Sequence, residues 1–496
     1  MSAGRAYQEA TTVLFKGRFG GKVGYTARLD MKISEEDMEV CLRVLQTIAD
    51  SRGTIRRSDH FNALVARVHK EGRKYEQQAE RQRQAEEDRK TLAATAMVKI
   101  QRDALPAVTA LLSGGSSGDS SAYNRKLNLP ETCYICKAEF TDVHFFYHLL
   151  CPKCAEFNYR MRELHSDLTG RTALVTGGRV KIGHQTVLRL LRDGANVMVT
   201  TRFPNAAARR LHAEPDSTQW LDRVRVYGLD LRNIPAVEAF ARHLLDTEPA
   251  IDILIHNAAQ TIRRPHGFYS ELVAMERRPE EFLSMEARHL VLQEAPSTFD
   301  ITDSSALLPA VMPTVKDVLP ANALEDNEEL ADSRNVNSWL LKLDEVSAPE
   351  MLEVQLVNSV APFLINSRLK ALMARSPFER RFIVNVSAME GQFSRHKTIY
   401  HPHTNMAKAA LNMMTRTSGD DYARDRIYMT SVDTGWVTDE NPTEKRNRKQ
   451  EEDGFFAPLD IIDGMARIYH PIAEGVNEEK TPYFGVFLKD YAPCLW

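Results

Sequence analysis

Four cysteines carry the clearest chemistry in this sequence. Cys133-Tyr-Ile-Cys136 and Cys151-Pro-Lys-Cys154 are separated by fourteen residues, and each C-x-x-C lets two thiolates reach one ion from a tight turn. Together they form a tetrahedral four-sulfur set with no open position. The expected site is therefore structural, with zinc the favoured ion. His144 and His148 lie between the pairs as alternative ligands, but the run Phe145-Phe146-Tyr147 gives them aromatic packing partners. Asn158, Arg160, Arg162 and Glu163 follow without the basic-aromatic surface that would point to RNA. The module then reads as a structural staple or a docking surface for protein partners. Cys41 and Cys494 stand outside the pattern, and such usage is intracellular rather than a disulfide framework.

A second chemistry resides in a glycine turn. The apolar run ending at Thr176 continues into Gly177-Gly178-Arg179-Val180-Lys181-Ile182-Gly183 and then an amphipathic helical stretch. Glycines between a strand and a helix let the backbone approach a pyrophosphate, which sits on the positive end of the helix. The next run, Val197–Thr201, is followed by Arg202 with no carboxylate at its end. An acid there would bind the ribose 2′-hydroxyl of NAD(H), whereas a guanidinium pairs bidentately with a 2′-phosphate. With Arg179 and Lys181 nearby, NADP(H) is expected over NAD(H). The simpler use of Arg202 is as a solvated surface cation.

These residues need a scaffold, and the rest of the chain supplies its pattern. From Thr172 onward the runs TALVTG, NVMVTT, VRVYGLD, IDILIHNAA, FIVNVSA and IYMTSVDTG alternate with helix-like stretches such as HQTVLRLLRDG. Such alternation implies parallel strands in a doubly wound α/β sheet, here over residues 170–496. Between Asn257 and Asn358 there are more residues than one helix and its loops need. About 265–345 thus reads as an insertion of surface helices and loops, or a lid. Upstream, 128–165 is the cysteine module, 113–127 a Gly/Ser linker, and 1–112 a charged helical region. There, residues 34–49 have helical spacing behind Ser34 as N-cap. A second helical run begins near Asp59, too sparse in apolar residues for a heptad seam, so it reads as solvated or partner-bridging.

Bulk properties exclude some classes. At 496 residues the chain exceeds one small core. A formal net charge of −3 gives no reason to expect nucleic acid or an anionic membrane as partner. No stretch approaches the ~18 apolar residues of a spanning helix. The basic-biased residues 1–32 lead into no apolar segment, so an intracellular protein is expected, cytoplasmic ahead of mitochondrial.

At the glycine turn the chain resembles the short-chain dehydrogenase/reductase superfamily, whose fingerprint is T-G-x-x-x-G-I-G; Lys181 stands where the middle glycine would be. The likeness continues in order over roughly 170–490. Asp230-Leu231 resembles the family's adenine-contacting pair, and Asn257-Ala258-Ala259 its N-A-G. Asn358, Ser387 and Lys408 match the Asn, Ser and Lys of its tetrad. Thr434-Gly435-Trp436-Val437-Thr438 is similar to the stretch that holds the nicotinamide. The fourth member of the tetrad, the tyrosine of Tyr-x-x-x-Lys, is replaced by Thr404.

The resemblance implies hydride transfer to or from a small carbonyl or alcohol substrate. Ser would orient the oxygen, Lys hold the ribose, Asn keep a proton-relaying water, and Tyr move the proton. A phenol starting at about 10 can be pulled down by a neighbouring ammonium, but the hydroxyl of Thr404 starts several units higher. Tyr400, His401 and His403, immediately upstream, are the candidate replacement acids, and His403 has the intrinsic pKa for the task. The i to i+4 relation nevertheless puts Thr404 on the Lys408 face. Two other readings stand beside this one. In the first, a site binds a dinucleotide without turnover and the protein is a sensor or scaffold acting through its zinc module and N-terminal helices. In the second, the fold has lost the nucleotide too, which the retained Asn358, Ser387 and Lys408 argue against. A homo-oligomer is also compatible with the resemblance.

Overall fold

The computed structural model describes residues 33–51, 58–103, 125–264, 266–292, 334–394 and 397–496. The basic segment 1–32, the Gly/Ser stretch 113–122 and most of the insertion lie outside them. The chain forms two compact units, one up to Glu80 and the other from Arg81 onward. The first contains α1 (Glu35–Asp50), whose N-cap Ser34 accepts from the Asp37 N–H at 3.0 Å, and most of α2 (Asp59–Ala93). The helical N-terminal region expected from the sequence is present.

The second unit begins with the end of α2. There the buried carboxylate of Asp88 accepts from the Asn128 and Leu129 N–H groups at 2.7 and 2.9 Å. A short α3 (Ala96–Asp103) then extends the backbone of the cysteine module, Ala96 and Met97 donating to the Phe145 and Phe146 carbonyls. The module itself is an antiparallel pair, β1 (Arg125–Thr132) and β2 (Glu139–Val143), followed by α4 (Pro152–Met161).

The α/β part is an eight-stranded sheet. Its strands are β3 (Thr172–Thr176), β4 (Asn196–Thr201), β5 (Val224–Gly228), β6 (Ile253–His256), β7 (Arg381–Ser387), β8 (Ile427–Asp433), β9 (Val486–Lys489) and β10 (Ala492–Cys494). Their order is β10-β9-β8-β7-β6-β3-β4-β5, and all are parallel except β10. Successive side chains leave opposite faces, so Ala173 and Val175 join one core while Leu174 joins the other. The first face is covered by α5 (Lys181–Arg192), α6 (Pro204–His212) and, from the chain's end, Ile461–Asn477. The second is covered by α7 (Ile234–Thr247) and, later in the chain, by Ala361–Ala374 and Pro402–Arg424.

The described part of the insertion is structured. It holds α8 (Ser270–Arg277) and α9 (Met285–His289), which pack on α6, and Val291 pairs in parallel with Val226 at the β5 edge. The remaining helices are α10 (Ala348–Gln355), α11 (Ala361–Ala374), α12 (Pro402–Arg424), α13 (Thr443–Asp453) and α14 (Ile461–Asn477). Connections leave β3 and β6 in opposite directions, and in open α/β sheets ligands bind at the carboxyl ends of strands at such a switch point.

One buried cluster ties the cysteine module to this sheet. Arg162, just past α4, grips Asp460 with two nitrogens at 2.8 and 2.9 Å and lies 3.0 Å from Asp463. The Tyr147 hydroxyl donates to Asp463 at 2.5 Å. Asp460 is the N-cap of α14 in a capping box with Asp463. Burial pushes both carboxyls up; Arg162 overcomes it at Asp460, which stays below its usual range, whereas Asp463 ends above it. A guanidinium removed from this pair strands two carboxylates in the core. Arg162→Ala is therefore expected to cost about 3–5 kcal/mol, and Tyr147→Phe about 1–2 kcal/mol, in urea denaturation of the full chain. A loss below about 1 kcal/mol for Arg162→Ala, well under the cost of an uncompensated buried charge, would show that the cluster does not hold the two parts together.

Candidate functional site

The glycine turn follows directly from packing. Gly177 leaves β3 at φ +69°, and a Cβ there would lie 2.8 Å from Ala258 Cα. One on Gly183 would collide with the Gly177 carbonyl oxygen and with Asn257 Nδ2. The turn is locked to the β6 loop: Asn257 Nδ2 donates to the Gly177 carbonyl at 3.0 Å, and the Ala258 N–H to Thr176 Oγ1 at 3.1 Å. Lys181, in place of the middle glycine, keeps a left-handed backbone at φ +53°, a conformation costing a side-chain-bearing residue about 1–2 kcal/mol. The N-cap of α5, Val180, brings no side-chain acceptor to that helix end. Ile182 packs with Val437, and Ala259 follows Ala258 in the β6 loop, just before Gln260. Beside Lys181 lies a cavity lined by the cations Lys181, Arg264 and Arg446 and by the acids Asp439 and Glu440, with Ile262, Asn337 and Thr438. The turn thus has the close backbone approach that suits a pyrophosphate, beside a cavity wall of mixed charge.

At the far end of β4, Arg202 lies 4.6 Å above the ring of Tyr269 and 5.3 Å from that of Phe203. Buried Arg179 lies 5.6 Å from the same Phe203. Close to them comes a residue that the sequence did not single out. Glu276 of α8 accepts from the Asn205 and Ala206 N–H groups at the start of α6, at 3.0 and 3.2 Å. Burial raises its carboxyl to about 7 despite those amides and Arg179. Asp230 pairs with Arg232 at 2.5 Å, so it stays below its usual range although burial opposes this. Leu231 beside it is buried.

The second cluster lies across the sheet. Asn358 sits in a π-helical turn, Leu356–Val360, a distortion often found at functional sites. Its Oδ1 accepts from the Gln260 N–H at 2.7 Å and its Nδ2 donates to the Gln260 carbonyl at 3.1 Å. Ser387 ends β7, with Oγ 3.5 Å from the Lys408 carbonyl. Lys408, on α12, is buried, and its Nζ donates to the Val386 carbonyl at 2.8 Å. Burial brings the ammonium down to about 8, with Glu390 and Asp433 opposing.

The groups near position 404 are arranged differently. Thr404 is buried, and its hydroxyl has no hydrogen-bond partner among the described residues. His403 is buried with its Nε2 3.9 Å from Glu350 Oε1 on α10, and burial lowers its pKa. His401 caps α12 at φ +44°, stacks on Trp339 at 3.9 Å, and places Nδ1 3.0 Å from the Trp339 carbonyl. Tyr400 lies on the partly exposed approach to α12. Among the described residues no hydrogen bond joins Tyr400 or His403 to Lys408 or Ser387. Over this region runs another feature invisible in the sequence, a strap at the insertion's end. Ser338 Oγ accepts from the Arg263 N–H at 2.8 Å, Asn337 Nδ2 donates to the Glu440 carbonyl at 3.0 Å, and the Leu341 carbonyl accepts from the His401 N–H at 2.8 Å.

The loop after β8 closes the site. Thr434 precedes Gly435, which is at φ +79°, where a Cβ would meet Leu459 at 2.5 Å, and Val437 is buried. Beyond this loop lies the cysteine centre. One ligand atom from each of Cys133, Cys136, Cys151 and Cys154 lies within 4.8 Å of the others. The Ala138 N–H pulls the Cys136 thiol down to about 7. His144 and His148 are not part of the cluster. His144 Nδ1 accepts from the Phe146 N–H at 3.1 Å, His148 Nε2 lies 3.3 Å from the Phe456 carbonyl, and burial lowers each ring to about 4. Four sulfurs at this separation can hold one tetrahedral ion.

Comparison with known proteins adds family evidence. Residues 171–278 match the family described as short chain dehydrogenase. An uncharacterized protein of Acanthamoeba polyphaga mimivirus, R665, is 32% identical over 363 residues, covering 71% of this chain and 73% of its own length. Human dehydrogenase/reductase SDR family member 13 is 43% identical over 95 residues, 18% of this chain. Mouse retinol dehydrogenase 13 is 36% identical over 102 residues, 20% of this chain. The chain spans only 24% and 29% of those two relatives. Among solved structures, a short-chain dehydrogenase/reductase from Burkholderia multivorans with bound NADP has 17% identity and a TM-score of 0.40, covering 66% of this chain and 99% of its own. A likeness of that extent carries no weight for ligand or reaction.

The four-sulfur geometry leads to a direct expectation. Elemental analysis of the purified chain should find one zinc per molecule, and Cys133→Ser with Cys151→Ser should find none. Chelation should lower the melting temperature, because metal binding free energy is folding free energy for such modules. An unmoved melting temperature would remove the structural ion.

Proposed function

Because the chain belongs to the short-chain dehydrogenase/reductase superfamily, we propose that it binds NADP(H) at the carboxyl edge of its sheet and transfers hydride to or from a small carbonyl or alcohol. The observation that carries this reading is the conjunction of Ser387, Lys408 and Asn358 at that edge with a glycine turn into which only glycines 177 and 183 fit. The cofactor supplies hydride when bound. The chain's own residues do the rest. The amides at the start of α5, with Lys181 nearby, receive the diphosphate. Lys408 holds the nicotinamide ribose, Ser387 orients the substrate oxygen, and Asn358 fixes the Gln260 backbone beside them. Thr434, Gly435 and Val437 shape the nicotinamide side; Asp230, Leu231, Asn257, Ala258 and Ala259 shape the adenosine side. Zinc on the four cysteines is structural.

The proton does not come from position 404, where an aliphatic hydroxyl starts too high for one ammonium to correct. Tyr400, on the accessible approach to the site, is the best placed of the three upstream candidates, since His403 is turned to Glu350 and His401 is stacked on Trp339 with its Nδ1 on the Trp339 carbonyl. A second reading, a dinucleotide-binding protein without turnover, is favoured by one observation: the Lys408 ammonium donates to a backbone carbonyl rather than to an ionisable acid. Fluorescence titration with NADPH and NADH tests the shared premise, and binding of neither would end both readings. If NADPH binds, turnover on a panel of small carbonyls separates them. Thr404→Tyr, which returns a phenol one turn from Lys408, should raise that turnover by about 10²-fold. Tyr400→Phe with undiminished turnover would remove Tyr400 as donor.

The preference for NADP(H) rests on Arg202 and Arg179, and Glu276 works against it. Below about 7 its carboxyl carries a proton; above, it is an anion in the corner that a 2′-phosphate must share. The ratio of NADPH to NADH affinity is therefore expected to fall as pH rises through that value. Glu276→Gln should flatten that fall, and a ratio equally steep in the variant would exclude Glu276 as its source.

A further inference from the structure

The cysteine module meets the loop after β8 most directly through Tyr134. Tyr134 lies between Cys133 and Cys136, and its hydroxyl accepts a hydrogen bond from the Trp436 N–H at 3.0 Å. Its own N–H donates to the Leu149 carbonyl at 2.8 Å, two residues before Cys151. Tyr134 is thus fixed by both halves of the four-sulfur cluster. Lys489 lies 5.9 Å from its ring and pairs with Asp433 at 3.2 Å. Asp433 is the last residue of β8 and stands opposite Ser387 in the β7–β8 register. Tyr134 therefore meets the sheet where the strand ends and the loop begins.

The loop's other contacts near its start lead the same way. The Trp436 carbonyl accepts from the Leu459 N–H at 3.3 Å, and Val437 enters the apolar cluster of Phe146, Tyr147 and Leu150. Each of these contacts leads back to the module or to the α14 end that the module grips through Arg162. Thr438–Thr443 then continue along the cavity wall opposite Lys181 and Arg264.

We propose that the cysteine module is the positioning element of this loop, with the bound metal fixing the Cys133–Cys136 turn and Tyr134 transmitting that order to Trp436. The proposal rests on the dinucleotide reading for its functional consequence, namely that zinc occupancy sets cofactor affinity. Without the ion the two turns lose their cross-link, and the Trp436 amide loses a fixed acceptor.

The test uses the full-length zinc-bound chain, Tyr134→Phe, and wild type depleted of zinc by a chelator and then reloaded. Hydrogen exchange of the 434–443 segment and NADPH affinity by fluorescence are read beside zinc content and melting temperature. Tyr134→Phe should keep one zinc and nearly its full melting temperature. Its Trp436 amide should exchange about fivefold faster, as the loss of one modest hydrogen bond implies, and its NADPH Kd should rise by a similar factor. Zinc depletion should move both in the same direction and further, and reloading should reverse it. A purely structural role would lower the melting temperature without changing Kd in the zinc-loaded variant, and that result overturns the proposal. So does unchanged Trp436 protection in both the variant and the depleted protein. If wild type binds no dinucleotide, the cofactor reading falls, and exchange at Trp436 decides the coupling by itself. If Tyr134→Phe does not fold, depletion and reloading decide both the loop coupling and its effect on Kd.

Discussion

The buried contact of Arg162 with Asp460 and Asp463 governs how the cysteine module and the sheet act as one. A guanidinium in the core demands anionic partners of good geometry, and α14 supplies both from its first turn. Because Asp460 is also the N-cap of α14, the same carboxylate starts the helix and anchors the cysteine module. Leu459, one residue earlier, then limits Gly435 and holds the Trp436 carbonyl. The module, the last long helix and the loop after β8 are thus consequences of one electrostatic constraint.

The edge of the sheet shows a second economy. Lys408 is buried beside Ser387 with its Nζ on the Val386 carbonyl, and burial brings its ammonium down to about 8 from its usual higher value. In water such a group would be charged throughout the neutral range; the low-dielectric site removes that certainty. Asn358 does not reach the same cluster by a regular helix. A π-turn shifts it by the extra residue needed to meet Gln260. Beside the strap at Asn337–Leu341, Thr404 and His403 are both buried.

Much of this was legible from the sequence. The strand runs pointed to the parallel sheet because they alternate with helical stretches, and the structure buries both faces of the sheet, Leu174 in one core and Ala173 and Val175 in the other. The two C-x-x-C pairs announced the four-sulfur cluster, and Ser34 the start of α1. Lys181 was legible as a departure, and the structure shows that the turn keeps a glycine-like backbone there at the cost of strain. The insertion was legible only as surplus length. Nothing in the spacing of α8 residues indicated that Glu276 would sit on the end of α6, nor that Trp339 would stack on His401.

What the sequence alone determined are properties that live within a few residues: periodicity, glycine turns, capping, and the short spacing of metal ligands. Backbone sterics and hydrogen bonding make such patterns local. The tertiary structure decided what joins residues far apart along the chain, such as Arg162 with Asp460 or Tyr134 with Trp436. It also decided the protonation of Lys408 and Glu276, because burial sets a pKa and burial is a property of the packed molecule.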